Sequence, residues 1–322
     1  MKLGKVSDTI LSRSVFKLIR KRVGQKLEKP YLGQDASGFA AGDSNIALSS
    51  VACGYMAVYR AVNNIYAAGG CPVGILDCVI LNDKAREIRL KEIIGELERQ
   101  AAVAGIPILG GHTTVSEKVN QPVVTVTSLG VENVSRPKVK PGQDIVAARW
   151  IGISGIRQII DAKQEEILKV LPCDVIDKAL GNEKDMLVGD IAEVVLKSDS
   201  SVRMHDVSEG GIFASLWDLA ESGNVGIDVD LRAIPVKQEI VEICELFNIN
   251  PYELESLGCL LVTSDNGCDI VKLLNTCGIK ATVIGKVTEG NQRIIRSNDE
   301  VRFLDLPQQD EIYKLLGKGA TL

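Results

Sequence analysis

Residues Pro122–Val131 read Pro-Val-Val-Thr-Val-Thr-Ser-Leu-Gly-Val, with apolar and small polar side chains in alternation. A period of two sends neighbours to opposite faces of an extended chain, so the run fits a strand with one face in a core. A strand needs partners, and the flanking sequence offers them. Ile46–Val51 reads as a short strand, and Val73–Leu81 as one apolar on both faces and so expected to be buried on both. Tyr55–Ala68 has helical spacing and ends at Gly69-Gly70 and Pro72, while Lys84–Ala104 is a charged amphipathic helix stopped by Gly105. Pro107–Leu109 reads as a short strand leading into a loop, Gly110-Gly111-His112-Thr113-Thr114.

The second half repeats the mixture. After the turn Pro141-Gly142-Gln143-Asp144, strands are expected over 145–148, 202–206, 225–229, 258–263 and 281–287. Helices are expected within 161–200 and over 211–222, 237–247, 268–277 and 309–316. The fold class is α/β (α+β) in two domains, 1–144 and 145–322. With 322 residues and 45% apolar side chains there is material for two cores. Only 4% of residues are aromatic, so those cores must be aliphatic.

Net charge −5 gives no basic footprint for nucleic acid. The first thirty residues are basic, with apolar residues interleaved. They predict an amphipathic helix at about 8–23 with a solvated basic face, or else a membrane-surface or anion-binding segment. No apolar run is long enough to span a bilayer and the start lacks a signal-peptide core, so the cytoplasm is expected. Eight cysteines without a C-x-x-C pair, and two histidines, argue against zinc; the cysteines read as reduced, buried small hydrophobes. Trp217 reads as core, and His205 as structural.

Three segments combine glycine with short polar side chains: the one holding Asp35, the loop 110–114, and His205-Asp206-Val207-Ser208-Glu209-Gly210-Gly211. Glycine lets backbone N–H groups approach an anion, a following helix adds a favourable field, and carboxylates nearby suit Mg²⁺. Each taken singly is more often a cap and turn than a site.

Their order carries more. Gly33-Gln34-Asp35-Ala36, the helix segment Asn63-Asn64-Ile65-Tyr66-Ala67-Ala68-Gly69-Gly70-Cys71-Pro72, Gly110-Gly111-His112-Thr113, Pro141-Gly142-Gln143-Asp144 and His205–Ile212 resemble, in sequence, the motifs of the aminoimidazole-ribonucleotide-synthetase-like superfamily. Val225-Gly226-Ile227-Asp228 and Ile234-Pro235-Val236 resemble its hydrogenase-maturation branch. The resemblance implies an N-terminal domain whose strands form a barrel shared across a homodimer, and a C-terminal mixed sheet with helices. It implies ATP and Mg²⁺ as cofactors and phosphoryl activation of a small-molecule acceptor, or else a partner protein. The positions carried over are Asp35, His112 and Asp206 as catalytic groups, Asp35 also as metal ligand, and Asn63, Asn64, Gly110, Gly111, Thr113, Gly210 and Gly211 around the nucleotide.

The sequence also departs from that pattern. Asn63-Asn64 stands where the family has Asn-Asp, and Ser49–Gly54 carries no acid where an aspartate is usual. An amide offers oxygen without charge, which makes a poorer Mg²⁺ ligand. The hydrogenase-maturation enzymes end in a carbamoyl-carrying cysteine; the residues Gly317–Leu322 hold none, from which no carbamoyl dehydration by that route is expected. No cysteine lies in the first thirty residues, against selenophosphate chemistry, and the sparse aspartates argue against a thiamine-monophosphate-type kinase. A degenerate homologue that binds nucleotide or a partner without turnover is the alternative.

Overall fold

The computed structural model describes residues 4–19, 31–41, 43–52, 56–132, 137–199, 201–306 and 309–316. The chain forms two compact units: residues 35–134 make one, and the described residues between 4 and 34 join those from 137 to 316 in the other. Helix α1 (Asp8–Leu11) continues as π-helical Ser12–Phe16; the rest of the expected helix, residues 20–23, lies outside the described residues.

In the first unit, strands β1 (Ser37–Ala41), β2 (Ser44–Ala52), β3 (Gly70–Leu81), β4 (Ile108–Val115) and β5 (Val123–Glu132) form a sheet of order β1-β2-β5-β3-β4. Neighbours are antiparallel except β3 and β4, whose parallel pairing is made possible by the intervening helix α3 (Glu87–Ala104). Helix α2 (Ala57–Ala67) lies across β2, β3 and β5 and also touches α3. Its Val58, Tyr59, Ala61, Val62 and Ile65 are fully buried. The first turn of α2 has no cap of its own; the Gln100 side chain on α3 accepts from Val58 N–H at 3.3 Å.

The alternation in β5 holds as expected: Val124, Val126 and Ser128 are buried on the α2 side, and Val123, Thr125, Thr127 and Leu129 are half-buried on the other. The expectation for β3 does not hold. Only one of its faces is buried; on the other, Val73 is 50% and Leu76 40% exposed, beside Leu109 of β4 at 53%. Both faces are apolar, yet the helices α2 and α3 cover one of them. The sheet is open within one chain, with β1 and β4 at its edges.

The second unit is built on a seven-stranded sheet of order β12-β11-β8-β10-β6-β9-β7. Its strands are β6 (Asp144–Ala148), β7 (Arg203–Val207), β8 (Gly226–Asp230), β9 (Cys259–Ser264), β10 (Ala281–Thr288), β11 (Arg293–Ser297) and β12 (Glu300–Phe303). All pairs are antiparallel except β11 with β8. Its helices are α4 (Ile153–Ile167), α5 (Cys173–Leu180), α6 (Gly189–Ser198), α7 (Gly211–Gly223), α8 (Gln238–Leu246), α9 (Gly267–Thr276) and α10 (Ile312–Leu316). Helix α7 buries Ile212, Leu216 and Leu219 against Ile145, Val229, Leu261 and Ile284 of the sheet, while α9 packs on β6 and β10. Every residue of β7 and β9 is buried. The core is aliphatic as the composition requires.

Trp217 and most of the described cysteines differ from expectation. Trp217 is only partly buried, and the Arg293 guanidinium lies 3.7 Å above its ring while bonding Glu221 at 2.5 Å. The described cysteines are free thiols, and among them Cys244 and Cys259 are buried; Cys78 is half-buried and Cys71, Cys173, Cys268 and Cys277 are exposed, most of them at helix ends or on the uncovered sheet face. Burial drives the Cys244 thiol up to about 12 and that of Cys259 higher still, which keeps both protonated and inert. Cys53 lies outside the described residues. Among the described residues no helix is long and apolar enough to cross a membrane.

Candidate functional site

The expected loop Gly110-Gly111-His112-Thr113 is not a loop. These residues are the middle of β4, an edge strand exposed along most of its length. Two glycines have little strand propensity, yet pairing with the apolar strand β3 carries them through. The register places Leu76 beside Gly110, Asp77 beside Gly111, Cys78 beside His112 and Val79 beside Thr113. Cross-strand partners share a face. Gly110 and His112 therefore stand on the uncovered face with Leu76 and Cys78. Gly111 and Thr113 stand on the face that α2 covers.

Asp77 was hidden within a run read as wholly apolar. A Cβ on Gly111 would sit 2.6 Å from both the Asp77 carbonyl oxygen and its Oδ1. The glycine is thus required by the carboxylate beside it. Burial raises the Asp77 pKa above the ordinary carboxylate value.

On α2, Asn63 is wholly buried, so it belongs to the packing of the helix; Asn64 is half-buried and donates from Nδ2 to Ser49 Oγ at 2.9 Å. Ser49 pairs with Ser128, which pairs with Ile75, all on the α2 side of the sheet. His112 belongs to the other side. The sheet separates Asn64 from His112, and the structure does not bring them onto one surface. Asp35 is half-buried just before β1, and Asp43 is exposed in the β1–β2 connection. Among the described residues no three His, Cys, Asp or Glu side chains converge as a metal site. The described residues of one chain therefore offer Mg²⁺ no cage, and Asp35 is the carboxylate at the head of β1.

The second group sits where β7 meets α7. His205 and Asp206 are 6% and 3% exposed, so both lie inside the unit rather than on a ligand surface. Gly210 and Gly211 have φ of +84° and +66°, a region that other residues rarely occupy. A Cβ on Gly211 would come within 2.6 Å of the Tyr252 carbonyl oxygen and 2.7 Å of that of Leu254. The Gly210 N–H donates to Asp310 Oδ2 at 2.6 Å, and Ile312 N–H donates to Asp310 Oδ1 at 2.9 Å. Burial, then the neighbouring charge of Glu255, pushes the Asp310 carboxyl up to about 7. Glu209 Oε1 accepts from Lys5 N–H at 3.0 Å and from the Tyr313 hydroxyl at 3.2 Å, while Lys5 Nζ pairs with Asp218. A small cavity of about 40 Å³ opens beside Gly210, with Lys5, Asp8, Glu209, Asp218 and Asp310 in its walls. Burial and the Asp218 charge raise the Asp8 pKa. Local sequence gave no sign of Asp310, which meets Gly210 across 100 residues.

Residues 39–131 match the N-terminal domain of the AIR synthase related proteins, and residues 150–297 match their C-terminal domain. The chain belongs to the AIR synthase related proteins. This AIR synthase related chain is 25% identical over 254 residues to the carbamoyl dehydratase HypE of Rhizobium leguminosarum bv. viciae, an alignment covering 76% of this chain and 70% of that protein. Among solved structures it resembles a HypE–HypF complex, with TM-score 0.69 and 20% identity over 85% of this chain and 93% of the other. It also resembles the hydrogenase maturation protein HypE in complex with ATP, with TM-score 0.68 and 17% identity over 96% and 97% of the two chains. At such identities the structural likeness shows the fold.

Proposed function

We propose that this AIR synthase related protein binds ATP at the uncovered face of the first sheet and uses it to activate a small acceptor by phosphoryl transfer. The observation that carries the reading is the Gly110-Gly111-His112-Thr113 strand, exposed on an apolar face within a chain that matches both family domains. Gly110 leaves β4 without a side chain beside His112, so a phosphate group can approach the edge of the sheet. The His112 imidazole offers an N–H donor on that face, while Thr113 presents its hydroxyl on the opposite one. Asp35 precedes β1, at the edge of the sheet opposite β4, and is proposed to reach that phosphate from a second copy of the chain, as the carboxylate that would hold Mg²⁺. The acceptor oxygen attacks the γ-phosphorus and the bond to ADP breaks. Gly210 and Gly211 are proposed to receive the phosphate end of a ligand, with Asp206 supporting the loop from beneath. An ATP-bound HypE supports the nucleotide. A HypE bound to HypF supports a protein partner as the alternative to a small acceptor.

The half-exposed Val73, Leu76 and Phe39 on one sheet face fit a second copy of this chain, and a homodimer closing a shared barrel is part of the proposal. A cytoplasmic location goes with it. Sedimentation of Leu76→Asp should show a monomer where the parent shows a dimer; a parent that sediments as a monomer removes this part.

A specific observation favours a second reading, binding without turnover: the absence of a converging acid cluster among the described residues. Titration with ATP and Mg²⁺, followed by assay of ADP release, separates the readings. Binding that weakens about tenfold in His112→Ala, with ADP release lost in Asp35→Ala, supports the enzyme. Binding with no ADP release supports the second reading, and no binding at millimolar ATP removes both.

A further inference from the structure

The two edges of the second sheet are unlike. At one, every residue of β7 is buried. At the other, all four residues of β12 are exposed; Val301 is 56% and Phe303 66% open to solvent. Among the described residues no strand pairs with the outer side of β12. An unpaired edge offers a row of backbone donors and acceptors to another strand, and proteins commonly blunt it with proline or lysine. β12 carries neither.

The ladder fixes which groups are free. Leu304 N–H donates to the Arg293 carbonyl at 2.7 Å. Bonded and non-bonded pairs alternate along an antiparallel ladder, so Ile295–Arg302 and Ser297–Glu300 are bonded pairs too. The N–H and C=O groups of Val301 and Phe303 therefore point away from β11, toward the open edge. The side chains divide with the same period. Arg302 lies on the α7 face, its guanidinium 5.7 Å from the Phe213 ring centroid, and Glu300 stands two residues away on that face. Among the described residues neither the Glu300 carboxylate nor the Arg302 guanidinium has a hydrogen bond or ion pair.

This edge is complementary to itself. Two copies of β12, antiparallel about a twofold axis at Val301, exchange the Val301 N–H and C=O groups and set Glu300 opposite Arg302 of the second copy, twice. That pair falls at the non-bonded position, where facing side chains come closest. The neighbouring registers fail. An axis at Arg302 opposes two guanidinium groups and an axis at Glu300 opposes two carboxylates, and like charges directly opposite are destabilising. An axis at Phe303 leaves Arg302 opposite Leu304.

We infer that β12 is a docking edge for a second copy of this chain, joined about a twofold axis at Val301 by backbone bonds and two Glu300–Arg302 ion pairs. The seven-stranded sheets of the two chains then run on as one. The contact is separate from the one proposed for the first sheet and does not rest on the nucleotide reading. Four residues a side make a small interface, so it forms in concentrated protein and is open in dilute solution.

The full chain carrying Leu76→Asp isolates this contact from the first sheet. Sedimentation should show it monomeric at about 10 µM and mostly dimeric at about 500 µM, as suits a small transient interface. Added to it, Glu300→Arg and Arg302→Glu each set like charges across the axis, and each alone should weaken the dimer at least about tenfold. Mixed in equal amounts, the two variants carry opposite charges at both pairs and should regain it. A chain that stays monomeric throughout, single variants that assemble as the parent does, or a mixture that fails to regain the dimer overturns the inference. Hydrogen exchange reads the same contact in the parent, with no substitution. The Val301 amide should slow severalfold between the two concentrations, while the Arg302 amide, already bonded to β11, keeps its rate; a Val301 amide that exchanges equally fast at both overturns the inference.

Discussion

Two glycine pairs with polar neighbours, alike in sequence, take opposite forms. Gly110-Gly111 is extended, lies on an edge strand and is open to solvent on one face. Gly210-Gly211 is a left-handed turn, buried and already bonded to a carboxylate. Each glycine is required by what approaches it: an aspartate side chain at Gly111, and two backbone carbonyls at Gly211. A glycine pair therefore reports close approach, and only the structure tells whether the visitor is a ligand or the protein.

The widest separation between the two regions should appear in pH dependence. Asp310 titrates near 7 when folded against an ordinary value of 3.8, so the folded state holds its proton more tightly than the unfolded chain. Stability from this group is complete below pH 4 and is lost as pH rises through 7. The loss is on the order of 4 kcal/mol. Urea unfolding of the parent and of Asp310→Asn from pH 4 to pH 8 should give curves that diverge over that range. Parallel curves would show that Asp310 ionises freely and that its burial is wrong.

Gly211→Ala should cost about 3 kcal/mol, because it combines a left-handed φ with overlap against two carbonyl oxygens that cannot turn aside. A shift in urea midpoint smaller than that of Gly111→Ala would reverse the comparison. Gly111→Ala itself should cost about 2 kcal/mol, and part of that should return in the double variant with Asp77→Ala, since Oδ1 and Cγ of Asp77 are two of the three nearest atoms. Strict additivity in that cycle would mean that the backbone alone sets the need for glycine. The smallest effect is on the ligand: His112→Ala should weaken ATP binding about tenfold, or about 1.4 kcal/mol, without changing the unfolding midpoint. A change in stability of that size with unchanged affinity would make His112 a structural residue.

Much of the architecture was readable because it is repetitive. The alternation in β5, the glycine stops after α2 and α3, and the short apolar runs of the second unit each carry a local cause. β4 was missed because its glycines interrupt any pattern; pairing with β3 imposes the strand from outside. The segment of β1 reads as a glycine-rich connection for the same reason, and the short β11 and β12 carry no pattern of their own. The apolar run of β3 revealed that two faces are greasy but not that one of them lacks a helix. Of the site residues, the register alone separates His112 from Asn64 across the sheet. Asp310, Glu209 and Lys5 meet through contacts spanning 100 residues or more, for which no local spacing rule exists.

The guanidinium that rests on Trp217 gives α7 an optical label. Only two tryptophans are present, and the other, Trp150, has Lys280 5.8 Å from its ring centroid. The Arg293 guanidinium 3.7 Å above the Trp217 ring should quench and tune its emission. Any rearrangement that draws α7 away from β11 would therefore show itself as a change in colour and brightness, seen without an attached dye.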